Sequence, residues 1–183
     1  MLQKNKINQM RGIITSTLKF LNPDIAFSDV VVELILATGV HEGRNFDFIK
    51  QIKGPAISPF QIEPATHDDA WENFLRYKPK LAKKILKLAG ENMIFEYIPI
   101  ESHDDFIKDF IDSKRYRDLN VTMLGNLYYS IAMCRICYYR KPFSIPETFD
   151  IEEIAKIWKQ YYNTILGKGH VDQFIRDYRN FVD

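Results

Sequence analysis

The sequence predicts an all-α fold, α+β at most, in a single domain that covers residues 1–183. Apolar residues recur at intervals of three and four along several segments, which is the pattern of amphipathic helices. Proline and glycine stand between these segments, as they do between helices. The chain has 183 residues, 46% of them hydrophobic, which is enough for one domain with a buried core. We find no internal repeat and no proline-rich linker that would divide it.

The first helix is predicted over residues 5–20, ending before Pro23. Its apolar face consists of Ile7, Met10, Ile14, Leu18 and Leu21. The second helix covers residues 30–40, with an N-cap at Ser28-Asp29. Because it is apolar nearly all round, we expect a buried central helix. Its β-branched residues would also suit a strand, but a helix is favoured.

The rest of the chain continues this pattern. Residues 45–64 are predicted to form a loop, because Gly54-Pro55 and Ser58-Pro59 interrupt regular structure. The next helix is predicted to begin at Thr66 or Asp68. Further helices are predicted over residues 80–89, 104–111, 120–140, 151–162 and 171–181. Residues 93–100 suit a small β-hairpin or an extended connection.

Charge and hydropathy argue against two kinds of partner. The net charge is +1, so no global field attracts nucleic acid. The one dense group of lysines, within residues 78–87, is better explained as a solvated helix face. No stretch approaches the roughly 20 apolar residues of a membrane span. We therefore expect neither nucleic-acid binding nor membrane insertion.

The cysteines and histidines do not form a recognisable metal or redox site. Cys134 and Cys137 are spaced C-x-x-C, but the chain has no second cysteine pair. The four histidines are scattered and form no H-E-x-x-H motif. No glycine-rich nucleotide loop is present, and Ser58 lacks a G-x-S-x-G setting. We expect no metal, no cofactor and two structural thiols.

The chemistry-bearing candidate is Glu42, at the end of the predicted central helix. A carboxyl held there can be partly desolvated, which raises its pKa and suits a general acid. Gly43 follows it, and Ser58 comes sixteen positions after Glu42. Ser58 opens a segment that reads Ser-Pro-Phe-Gln-x-x-Pro-x-Thr. Taken alone, Glu42 would more often be a solvated residue of a helix end.

Together with two later segments, this arrangement resembles the catalytic core of lytic transglycosylases and goose-type lysozymes. The later segments are Asn126-Leu127-Tyr128-Tyr129 and Tyr161-Tyr162-Asn163, the second followed by Gly167 and Gly169. These enzymes cut the glycan strands of peptidoglycan. The resemblance implies a lysozyme-like domain in which Glu42 is the catalytic acid. It implies substrate-binding roles for Ser58, Phe60, Gln61, Glu63, Asn126, Tyr162 and Asn163.

Three positions depart from the pattern of this family. Ser58-Pro59 stands where Gly-Leu is usual, and proline removes a backbone donor from the turn that faces the sugar. Gly43 replaces the more common serine. Thr164 and Ile165 follow Tyr162-Asn163 where an early glycine is common. These changes bear on substrate contacts and not on the helical scaffold.

The number of carboxylates separates two reactions. Glycosidases use two carboxyl groups across the scissile bond, whereas lytic transglycosylases are similar enzymes that use one. Glu63, Asp68 and Asp69 are the candidates for a second carboxylate, and Asp68 and Asp69 better suit a helix start. A single dependable acid favours the transglycosylase. The alternatives are a two-carboxylate hydrolase, an inactive virion structural or glycan-binding protein, and a helical adaptor.

Location and partners follow from the same resemblance. The basic N-terminus lacks the apolar region of a signal peptide. We therefore expect a phage lysin or a virion-associated enzyme, which reaches the periplasmic cell wall from the virion or from the host cytoplasm. Peptidoglycan glycan strands are the expected substrate, and virion or tail components are candidate partners.

Overall fold

Helices make up the regular structure of the computed structural model, which describes residues 2–91, 94–163 and 167–183. The α-helices are α1 (Leu2–Leu21), α2 (Asp29–Glu42), α3 (Pro64–Asn73), α4 (Pro79–Ala89), α5 (Ile94–Tyr97), α6 (His103–Asp112), α7 (Leu119–Thr122), α8 (Leu127–Tyr139), α9 (Ile151–Ile157) and α10 (Val171–Val182). Short 3₁₀ turns lie at Leu75–Tyr77, Ile100–Ser102 and Arg115–Asp118, and a π-helical turn covers Trp158–Asn163. The described residues contain no strand, and the predicted all-α class is confirmed.

Helix α2 is the buried central helix that the sequence predicts. Its N-cap is Ser28, whose hydroxyl accepts a hydrogen bond from the backbone N–H of Val31 at 3.3 Å. Every residue from Val30 to Val40 is buried except Glu33. The Glu33 carboxylate is satisfied by Arg11 of α1 at 2.6 Å and by the Tyr178 hydroxyl of α10 at 2.5 Å. A strand over this segment, the alternative, is therefore wrong.

Helices α1, α8 and α10 surround α2. The predicted apolar stripe of α1, from Ile7 to Leu21, is buried against this core. The first and last helices also meet, because the Gln3 side-chain amide donates to the backbone carbonyl of Asn180 at 2.9 Å. Both ends of the described chain are thus held on the same core as α2.

Two of the predicted helices differ from the structure, one in its first residue and one in its continuity. Helix α3 begins at Pro64, because proline suits the first helical position, where its missing N–H leaves nothing unpaired. The helix predicted over 120–140 is two helices, α7 and α8. Asn126 separates them: its backbone is extended, and its side chain caps α8 by accepting from the N–H of Tyr129 at 3.0 Å.

Residues 94–100 do not form the predicted hairpin. The chain makes the short helix α5 and then a 3₁₀ turn, with Phe95 buried in the core. Met93, the first residue of the predicted hairpin, lies outside the described residues.

The loop between α2 and α3 carries the only β-type pairing among the described residues. Ile57 and Ile62 exchange backbone hydrogen bonds of 2.9 and 2.8 Å across a tight turn, and Lys50 forms a second bridge to Ile57. Ser58 and Gln61 take positive φ angles of 69° and 49° to close the turn. This turn lies against the end of α2.

Candidate active site

A cleft of about 850 Å³ opens beside the C-terminal end of α2. It lies between that helix end, the loop before α3, the residues after α8 and the π-helical turn with the loop that follows it. Its lining residues are His41, Glu42, Gln51, Ala56, Gln61, Ile62, Glu63, Thr66, Cys137, Arg140, Lys141, Tyr161, Tyr162, Asn163, Gly167, Lys168 and Gly169.

Glu42 is the last residue of α2, and its partly buried side chain lines the cleft. The indole N–H of Trp158 donates a hydrogen bond to Glu42 Oε1 at 2.8 Å. Burial raises the pKa of Glu42 above its ordinary value, while the Trp158 hydrogen bond and the charge of His41 act in the opposite direction. A carboxyl in this setting can hold a proton at higher pH than an exposed glutamate.

Gly43 allows the 57–62 turn to approach Glu42. A Cβ at residue 43 would lie 2.4 Å from the backbone oxygen of Pro59 and 3.0 Å from its Cα. No side chain fits there without displacing the turn. The glycine after Glu42 is therefore explained by close packing of the turn on the end of α2.

The turn buries two of the predicted substrate-binding side chains. Ser58 is fully buried, and its hydroxyl accepts from the backbone N–H of Phe60 at 3.2 Å. The Phe60 ring is also fully buried and lies against Gly39 of α2. Gln61 does line the cleft, and its side-chain amide donates to the Ser58 carbonyl at 2.9 Å. Ser58 and Phe60 thus shape the turn from inside, and Gln61 is the residue that reaches the cleft.

Tyr162 and Asn163 both line the cleft. The Tyr162 hydroxyl donates to the backbone carbonyl of Phe60 at 2.7 Å, which ties the π-helical turn to the 57–62 turn. The Asn163 side-chain oxygen accepts from Lys159 at 2.9 Å, and Lys159 also donates to the Gly167 carbonyl at 2.7 Å. Thr164 and Ile165, where the sequence departs from the family pattern, lie outside the described residues.

Asn126 does not line the cleft. Its side-chain oxygen caps α8, and its amide donates to the Leu88 carbonyl of α4 at 2.8 Å. Both ends of the side chain are therefore used in joining two helices. The predicted contact of Asn126 with substrate finds no support in this position.

Of the three candidates for a second carboxylate, one lies at the cleft. Glu63 lines it and is exposed. Asp68 is held by His67 and Asn120, each at 3.0 Å. Asp69 pairs with Arg140 and also accepts from Asn73 at 2.7 Å. Asp68 and Asp69 lie in the second turn of α3, and their charges are used in contacts within the protein.

Positive charge is concentrated on another part of the same cleft. Arg140 and Lys141 follow α8, and Lys168 lies in the loop before α10. Arg140 is partly neutralised by its ion pair with Asp69. Lys141 and Lys168 have no ion pair among the described residues, so they can meet an anionic group of a ligand.

Sequence reasoning missed Trp158 and Asp177. Trp158 is fully buried and contacts the carboxyl of Glu42 directly, although 116 positions separate the two residues. Asp177 of α10 meets His41 Nδ1 at 2.6 Å. The one available signal was that Trp158 lies about one helical turn before Tyr162 in a predicted helix. No local pattern connects Asp177 with residue 41.

The two cysteines are free and buried in α8. Burial raises the pKa of Cys137 to about 11, so its thiol is protonated at neutral pH. The described residues contain no group of three side chains that could hold a metal ion. Their helices include none that is long and apolar enough to cross a membrane.

Comparisons with protein-family models, with curated proteins and with solved structures found no match to this chain. The cleft brings together the partly buried carboxyl of Glu42 at the end of α2, the indole N–H of Trp158 that donates to it, and a basic rim formed by Lys141 and Lys168.

Proposed function

We propose that this chain is a peptidoglycan-cleaving lytic transglycosylase that acts on the β-1,4 bond between N-acetylmuramic acid and N-acetylglucosamine. Glu42 is the acid and base of the reaction. The observation that carries the proposal is the position of Glu42, whose partly buried carboxyl lies in an 850 Å³ cleft and accepts a hydrogen bond from Trp158. A phage lysin or a virion-associated enzyme would be the biological setting.

The environment of Glu42 suits both halves of such a reaction. Burial raises its pKa and favours the protonated acid at the start. Trp158 donates to Oε1 and stabilises the carboxylate that forms once the proton has left. The second oxygen, Oε2, is then the one that carries the proton to the substrate.

The proposed reaction needs no water. Glu42 protonates the glycosidic oxygen, and the bond between that oxygen and C1 of the muramic residue breaks. The muramic 6-hydroxyl attacks C1, and its proton returns to the Glu42 carboxylate. The products are a free 4-hydroxyl on the leaving sugar and a 1,6-anhydro end, so the proton on Glu42 is restored.

The basic rim of the cleft favours a substrate that carries carboxylates. The stem peptides of peptidoglycan carry such groups, whereas plain chitin has none. Lys141 and Lys168 line the cleft and have no ion pair among the described residues, so they can bind those groups. This charge distribution favours peptidoglycan over a neutral polymer of N-acetylglucosamine.

A hydrolase is the second candidate, because Glu63 lines the same cleft as Glu42. In an inverting hydrolase the two carboxyl groups flank a water, and that water would give a reducing end. Glu63 is exposed, whereas Glu42 is partly buried. The two carboxyls thus have the unlike environments that an acid and a base require.

Digestion of purified peptidoglycan tests the proposal. We expect the wild-type chain to release muropeptides with anhydro ends, which are one water lighter than reducing ends. Glu42→Gln keeps the shape and the acceptor for Trp158 but cannot donate a proton. We expect it to lower kcat by about 100-fold or more. Mass spectrometry of the released fragments measures both the rate and the type of end.

Glu63→Gln is the matched control, since it removes the other carboxyl of the cleft. Anhydro products that persist in Glu63→Gln and are lost in Glu42→Gln would support the transglycosylase. Reducing ends that require both residues would establish the hydrolase instead. Absence of products from the wild-type chain, with glycan binding intact, would overturn the enzymatic proposal in favour of a binding or structural role.

A further inference from the structure

The contacts behind Glu42 form a continuous chain of side chains. Asp177 Oδ2 lies 2.6 Å from His41 Nδ1. The His41 ring meets the Trp158 ring edge to face, with 4.6 Å between centroids and 75° between planes. Trp158 in turn donates to Glu42 Oε1 at 2.8 Å. Helices α10 and α2 and the π-helical turn each supply a member of this chain.

The indole is fixed on its other sides as well. Phe174 of α10 stacks on it, with centroids 4.7 Å apart and planes 24° apart. A Cβ at Gly169 would lie 2.4 Å from the far edge of the indole, so the loop after the π-helical turn presses directly against the ring. Trp158 is fully buried in consequence. The direction of its N–H is therefore set by its neighbours and not by solvent.

We propose that Asp177 and His41 are positioning residues for the general acid: Asp177 fixes the imidazole, the imidazole fixes the indole, and the indole N–H holds one oxygen of Glu42. The role of Glu42 as a general acid rests on the proposed function. The coupling between the four side chains does not depend on it. Neither Asp177 nor His41 needs to touch the reacting atoms. Their effect on the reaction passes through Trp158 and through the charge of His41.

The charges around His41 come from several elements. Asp177 approaches from α10, and Glu42 is the neighbouring residue on α2. Lys168, from the loop before α10, lines the same cleft. Arg140 and Lys141, which follow α8, line it as well. The charge of His41 itself acts on Glu42 and lowers the pKa of that carboxyl.

The indole N–H resonances in the ¹⁵N-labelled 183-residue chain give a readout that needs no substrate. The chain has two tryptophans, and Trp71 donates to the buried Tyr129 hydroxyl at 3.1 Å, away from Glu42. Trp158 should therefore report the titration of Glu42, with Trp71 as the internal reference. The Trp71→Phe variant assigns the two peaks.

Two variants test the coupling from Asp177 through His41 and Trp158 to Glu42, which we call the relay. We expect Asp177→Asn to shift the Trp158 N–H resonance, whereas Asp172→Asn, at an exposed acid of the same helix, leaves it in place. His41→Phe keeps an aromatic edge but removes the charge. We expect it to move the titration midpoint of Glu42, followed through the Trp158 resonance, to higher pH. The alkaline limb of the cleavage rate should move in the same direction, and kcat should fall. If Asp177 and His41 had a purely structural role, the variants would lower stability without moving the Glu42 titration midpoint or the alkaline limb of the cleavage rate.

The outcomes separate the relay from the proposed function. An unchanged Trp158 resonance in Asp177→Asn, together with an unchanged Glu42 midpoint in folded His41→Phe, would overturn the relay even if the chain cleaves peptidoglycan. Coupled shifts in a chain that releases no muropeptides would support the relay and contradict the proposed function. Circular dichroism of each variant establishes that it is folded.

Discussion

At Glu42, burial and hydrogen bonding act on the same pKa in opposite directions. Burial raises it, and the Trp158 N–H and the His41 charge lower it, with burial the larger effect. A raised pKa has a cost for stability. The folded state holds the Glu42 proton to higher pH than the unfolded state, so the free energy of unfolding falls as pH rises through this range.

Glu42→Gln should therefore stabilise the protein in a pH-dependent way. Below the ordinary glutamate pKa of 4.5 both states carry a neutral side chain, and the variant should differ little from wild type. Above it, ionisation of Glu42 favours the unfolded wild type, whereas the variant side chain is neutral in both states, so the melting temperature of the wild type should fall below that of Glu42→Gln. Thermal unfolding across this range measures the difference. A difference that stays constant with pH would contradict the prediction, and Glu63→Gln is the control for losing a carboxyl.

At the scale of elements, the junction of α2 with the 57–62 turn positions Glu42. The turn is closed by two residues with positive φ and by the hydrogen bonds around Ser58. It reaches the helix end only because Gly43 leaves room for the Pro59 carbonyl. On the other side, Tyr162 ties the π-helical turn to the carbonyl of Phe60. Single π-helical turns like the one over Trp158–Asn163 are frequent at functional sites.

Gly43→Ala should separate the two elements. The added Cβ would overlap the backbone of Pro59, and overpacking of this kind costs about 1–3 kcal/mol. Gly12→Ala is the matched control, because a Cβ at the exposed Gly12 of α1 meets nothing within 4 Å. That change should stabilise by about 0.5–1 kcal/mol. Urea unfolding measures both, and equal stability of Gly43→Ala and wild type would disprove the close approach.

For the molecule as a whole, the hydrophobic core reaches the candidate site through Trp158. Trp158 and Phe174 are fully buried members of the hydrophobic core, and the indole is also the donor to Glu42. Helix α10 packs on α2 and α9 and brings Asp177 to His41. The last helix of the chain thus both completes the core and supports the cleft.

Phe174→Ala should weaken both. Removing a fully buried phenylalanine costs about 3–5 kcal/mol, and here it also removes the stacking partner of Trp158. We expect a lower urea midpoint and, at temperatures where the variant is folded, a lower rate of muropeptide release. Tyr77→Ala is the control, because Tyr77 is 74% exposed and its loss should change stability by no more than about 0.5 kcal/mol. Normal stability of Phe174→Ala would contradict this account of the core.

The predictions from sequence held where one segment was sufficient to decide the structure. The three-and-four spacing in α1 and the apolar run of α2 predicted both helices and their burial. The long helix predicted over 120–140 failed at Asn126, where a side-chain cap outweighs the apolar periodicity that continues through it. The β-type pairing lies at Lys50, Ile57 and Ile62, and residues 94–97 form a helix instead of a hairpin.

The local sequence was enough to specify an all-α chain with a carboxyl at the end of a buried helix, because helix periodicity and capping act over a few residues. Tertiary structure decided which candidates share a cleft. It brought Glu63, Tyr162 and Asn163 to Glu42 and left Asn126 between α4 and α8. It also brought Trp158 and Asp177 to their partners across 116 and 136 positions. Such contacts depend on how whole helices pack, and that packing is set by the complete core and not by any local spacing.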